Sequence, residues 1–122
     1  MGARRALLVA LCAAALAAAG PAPSQSRDER WHWCTGRYKT PPDVSISPDL
    51  QISGCTAVIQ SLRESRDNLA RAFNNRGVAY ADKGQHDRAL QDYDQALRLQ
   101  PDDAITFSAR DAVTSRIRRP AK

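Results

Sequence analysis

From residue 47 onward, apolar residues recur at helical spacing. Leu50, Ile52, Cys55, Val58, Ile59 and Leu62 fall mostly on one helical face. Ser47-Pro48-Asp49 opens this stretch. Ser caps, Pro suits a first turn where its missing N–H has no intrahelical partner, and Asp favours the positive end of the dipole. Gly54 lies within the helix and weakens it locally by about 1 kcal/mol relative to Ala. Ser65-Arg66-Asp67 predicts a second helix reaching about Lys83, with Gly84 as its terminator. A third runs from about His86 to Leu99, its stripe formed by Ala89, Leu90, Tyr93, Ala96 and Leu97. Pro101 stops it. Asp102-Asp103 opens a last helix to Arg118, with Ile105, Ala109, Ala112, Val113 and Ile117 along one side. No segment carries a strand pattern. Residues 47–118 therefore predict an all-α domain of antiparallel helix pairs.

Before residue 47 the pattern changes. Arg4 and Arg5 precede an uncharged apolar run, Ala6 to Ala19, that ends in small residues. A spanning helix needs about 20 apolar residues, so this run is short for one. Its three zones predict a secretory signal peptide over 1–19, cleaved near Ala19, against the alternatives of an uncleaved anchor or a buried Ala-rich helix. Cys12 follows Leu11 rather than a small residue and is lost with the signal rather than lipidated. Residues 20–30 show no periodicity and read as a linker. Residues 31–46 hold two Trp, a Tyr and Pro41-Pro42 and read as irregular, so 20–46 as a whole is linker and irregular segment.

Charge adds little. The chain carries a formal +5, and without Arg4 and Arg5 it carries +3. An exported protein of that charge has no reason to meet nucleic acid. The basic end, Arg116, Arg118 and Arg119 with the tail 119–122 that includes Lys122, reads first as a solvated helix terminus. Its alternative is contact with an anionic membrane or cell-wall polymer.

Two cysteines remain after cleavage, Cys34 and Cys55. An even count in an oxidising compartment predicts a disulfide, stabilising by about 3 kcal/mol and tying the N-terminal segment over the first helix. A metal site from Cys34, Cys55, His32 and His86 matches no recognised zinc spacing. A Cys34–His32 nucleophile pair lacks a third group. No cofactor and no catalytic residue is predicted.

The middle of the chain has a more specific pattern: Phe73-x-x-Arg76-Gly77-x-x-Tyr80, then Ala89-x-x-x-Tyr93, Ala96 and Pro101. It resembles the tetratricopeptide repeat, W-x-x-L-G-x-x-Y…A-x-x-x-F…P over about 34 residues. Ala70 to Asp103 is one such span. Gly77, Tyr80, Ala89 and Pro101 match outright, whereas Phe, Arg and Tyr stand where the pattern has Trp, Leu and Phe. Physically, Gly77 and Ala89 are small enough for two helices to approach, and Phe73, Tyr80 and Tyr93 fill the space around them. Shifted by one repeat, Phe73 and Arg76 recur as Phe107 and Arg110, but Gly77 becomes Asp111 and Tyr80 becomes Thr114. The last helix thus reads as a cap, with Asp111 facing water. The helix at 48–62 caps the other end as the second helix of an earlier, cryptic repeat. Arrays normally need three or more units. Either the disulfide and flanking helices suffice, or the protein self-associates, or it is a shortened relative of longer proteins. Over residues 31–107 the order of cysteines, helix and repeat also resembles small exported bacterial proteins of this family.

The resemblance implies a short α-solenoid that binds a protein or peptide and performs no chemistry of its own. The implied binding face is Arg71, Asn74, Val78, Ala81 and Asp82. Family members that clamp a carboxylate use Lys and Asn, and Asn74 and Val78 at those positions predict no clamp here. One repeat offers little area, so binding is expected to be weak without dimerisation or a larger assembly.

Overall fold

The computed structural model describes residues 25–36 and 46–119. Five helices occupy them: α1 (Arg27–Thr35), α2 (Pro48–Gln60), α3 (Arg66–Asp82), α4 (His86–Leu99) and α5 (Ala104–Arg118). No strand occurs among the described residues. The signal-like run 1–19, Cys12, residues 37–45 and Lys122 lie outside them. Among the described residues no helix is long and apolar enough to cross a membrane.

Local signals account for the four predicted helices. The Ser47 and Ser65 hydroxyls accept from the Leu50 and Asn68 amides, and Asp103 accepts from Ile105 and Thr106. Gly84 ends α3 at φ 74°, where an L side chain would be strained. There the Gln85 and Gly84 amides return to the Tyr80 and Ala81 carbonyls, both at 2.9 Å, closing a Schellman turn.

α1 corrects the expectation of linker and irregular chain. Arg27–Thr35 is helical because Ser26-x-x-Glu29 forms a capping box and Gly36, at φ 68°, closes the far end. Its polar composition hides any apolar stripe. α2 also ends earlier than expected, at Gln60. Leu62 adopts φ 54° and is 87% exposed, so it leaves the apolar face assigned to it.

Successive helices are antiparallel. α1 lies on α2, α2 on α3, α3 on α4 and α4 on α5. α1 also touches α3, and α3 touches α5, whereas α2 and α4 make no close contact. The odd-numbered helices therefore share one layer and line one side of a short stack of hairpins. Two clusters form the core. Cys34, Cys55, Val58 and Ala72 join α1, α2 and α3; Ala89, Tyr93 and Val113 join α4 and α5, with Tyr80, Ala81, Leu90 and Ala109 packed against them.

Candidate protein-interaction surface

The scaffold residues of the repeat are brought together. Tyr93, Ala89, Ala96 and Gly77 are buried, Tyr80 and Phe73 half-buried, and Pro101 sits in the turn after α4. At Gly77 the nearest neighbour is the Tyr93 ring of α4. A Cβ placed on Gly77 would stand 2.7 Å from Tyr93 Cε1 and 2.9 Å from Cδ1, so the glycine makes room for a ring. Burial pushes the Tyr93 phenol up, and the nearby charges of Asp82 and Asp92 push it the same way.

Arg76, which stands where the repeat pattern has Leu, reaches Asp92 on α4 through two hydrogen bonds of 2.8 and 2.7 Å. Its third contact is Thr56 Oγ1 on α2, at 3.1 Å. Asp92 is buried, and its carboxylate holds the guanidinium charged against the effect of burial. One repeat later, Arg110 pairs with Asp94 at 2.6 Å. Composition alone does not reveal these pairs. The visible signal is an arginine at an apolar repeat position, which requires an acid on the facing helix.

At the other end, the Glu64 side chain is 1% exposed and gathers α1 and α3. Arg27 donates twice, Trp31 Nε1 once and Asn68 Nδ2 once, all at 3.0 Å. The Arg27 bonds foremost, then Trp31 and Asn68, hold its carboxyl at about 2, against burial, which acts in the opposite sense. The Cys34–Cys55 disulfide bonds α1 to α2 beside this network. This is the disulfide that the sequence predicts, and it consumes both thiols of the metal and nucleophile alternatives. Gly54 faces the α1 backbone, where a Cβ would meet Trp33 Cβ at 2.5 Å and Cys34 N at 2.8 Å.

The predicted binding face divides. Arg71 and Asp82 are exposed, as is Val78 at 38%, and the Arg71 guanidinium lies 5.7 Å from the Trp31 ring centroid. Asn74 instead donates to Thr106 Oγ1 and ties α3 to α5. Ala81 packs against the α4–α5 cluster. Ile105, at the position one repeat beyond Arg71, is 77% exposed. It was expected in the core of α5 with Ala112 and Ile117. The buried line of α5 is Thr106 and Val113, with Ala109 half-buried between them. Sequence pattern misses this line because Thr106 is polar. Its hydroxyl is satisfied by donating to Asp103 Oδ2 at 2.6 Å while accepting from Asn74. Asp111 is exposed, as expected of a capping helix. His32 and His86 lie on different helices, and no group of three metal-ligand side chains forms among the described residues.

Residues 70–103 match the family model of the tetratricopeptide repeat. The match covers α3 from Ala70, all of α4 and the turn that follows. Over that span the chain is similar to one tetratricopeptide repeat. Such repeats typically bind other proteins or peptides. No curated protein and no solved structure matches the chain.

Proposed function

We propose that the chain is a protein-binding adaptor that works outside the cytoplasm, in the bacterial periplasm or cell envelope. The observation that carries the binding role is the repeat at 70–103 with an exposed side formed by Arg71, Val78, Asp82 and Ile105. This surface mixes two opposite charges with two aliphatic groups, which suits a partner segment with the same mixture. Its area is small, so affinity is weak unless the assembly is larger. Two features support export: the signal-like pattern of residues 1–19 and the buried Cys34–Cys55 bond, which persists best in an oxidising compartment.

The test is a crosslinked pull-down of the exported protein. Arg71→Glu with Asp82→Lys should abolish capture of the partner found with the unaltered chain, while circular dichroism stays unchanged. Undiminished capture would assign binding to another surface. Mass spectrometry of protein recovered from cells should find an N-terminus near residue 20 and two oxidised cysteines. An intact N-terminus with free thiols would reject export.

A further inference from the structure

Basic groups gather without acidic partners at the end of the molecule where α4 begins and α5 finishes. Arg116, Arg118 and Arg119 are all exposed there. None of them enters an ion pair among the described residues, where the pairs are Arg27–Glu64, Arg76–Asp92, Lys83–Asp49 and Arg110–Asp94. His86 of α4 and Ser115, Arg116 and Arg119 of α5 line an open surface depression of about 440 Å³. A second open depression, of about 520 Å³, shares His86 as a wall and extends along the α3–α4 turn to Arg88 and Ile117. Asp87 is the single acid in these linings and is itself exposed.

The N-terminus of α4 adds to the same field, whereas the C-terminal carbonyls of α5 oppose it. Gln85 makes no side-chain hydrogen bond to the first turn of α4, so its amides are not capped by that side chain. His86 Nδ1 is buried without a hydrogen-bond partner, so nothing on that nitrogen holds the ring in place. Unpaired guanidinium groups on adjacent turns repel one another, and an oxyanion between them relieves that repulsion. Their planar forks and the amides of a helix N-terminus both suit tetrahedral oxyanions.

We propose that this end of the protein is a binding site for a phosphate oxyanion, with Arg116 and Arg119 as its principal ligands and His86, Arg88 and Ser115 as its walls. The phosphate is either a soluble ion or the headgroup of an anionic lipid. The site uses none of the residues assigned to protein binding, so the two readings stand or fall separately.

Two arms test it with the oxidised full chain. Pyrophosphate is titrated while amide resonances are followed, and cosedimentation is measured with phosphatidylglycerol and with phosphatidylcholine vesicles. Saturable shifts centred on His86, Ser115, Arg116 and Arg119 indicate a soluble ligand. Saturable binding to phosphatidylglycerol alone indicates a headgroup. In the responding arm, Arg116→Gln with Arg119→Gln should weaken binding at least about tenfold with helicity unchanged. Arg63→Gln with Arg98→Gln removes the same charge elsewhere and should change it less than about twofold. Absence of saturation in both arms overturns the proposal. So does equal weakening by the two double variants, which would reduce the effect to overall charge.

Discussion

Arg76 shows how one residue can break a repeat's apolar pattern and keep its fold. Buried Asp92 and Thr56 on α2 replace the packing that a leucine would supply. The pair is specific rather than strongly stabilising, because both charges leave water. Arg76→Leu alone should therefore lower unfolding free energy by about 3 kcal/mol, since it strands Asp92. Combined with Asp92→Leu, most of that loss should disappear. Chemical denaturation of the two variants checks this, and equal losses in both would show that the ion pair is not the reason. Gly77→Ala should cost about 1–3 kcal/mol by forcing a methyl into the Tyr93 ring. Glu64 gives a pH dependence. Its folded-state value of about 2 lies below the ordinary 4.5, so its stabilisation is present above about pH 4.5 and is lost as pH falls through about 2. Denaturation midpoints measured across that window should fall for the unaltered chain. Glu64→Gln should flatten the slope and lower stability at neutral pH by about 2 kcal/mol.

At the scale of elements, α2 to α5 were legible because their signals are local: a capping Ser or Asp at each start except that of α4, and a Gly or Pro at the stops of α3 and α4. α1 was not. Its stop and start signals, Gly36 and Ser26-x-x-Glu29, are equally local, but Arg27-Asp28-Glu29-Arg30 supplies no apolar period. What holds α1 is nonlocal: the disulfide, Glu64 and the close approach at Gly54. Glycine inside α2 weakens that helix but admits the backbone of α1, a role that no pattern within α2 displays. Replacing Cys34 and Cys55 by Ser should lower stability by about 3 kcal/mol. Hydrogen exchange should then show protection lost first in α1, with α3 and α4 still protected. Uniform loss along the chain would show that α1 is not a separately tethered unit. Gly54→Ala should act in the same direction, because the added methyl meets backbone that cannot move aside cheaply.

For the molecule as a whole, the repeat defined the scaffold more fully than it defined the surface. Residues such as Gly77, Tyr93 and Ala89 follow from packing rules and are buried. The binding side depends on which flank of α3 and α5 turns outward, and two neighbouring helices decide that. Asn74 was drawn into a bond with Thr106, Ala81 into the α4–α5 core, and Ile105 was left exposed. The resulting side of α3 and α5 is the account's central claim. Photocrosslinking from single positions tests it most directly. Probes at Val78 and Ile105 should capture one and the same partner protein, and probes at Gln91 and Gln95, exposed on α4, should not. Capture of that partner from Gln91 or Gln95, with none from Val78 or Ile105, would contradict it.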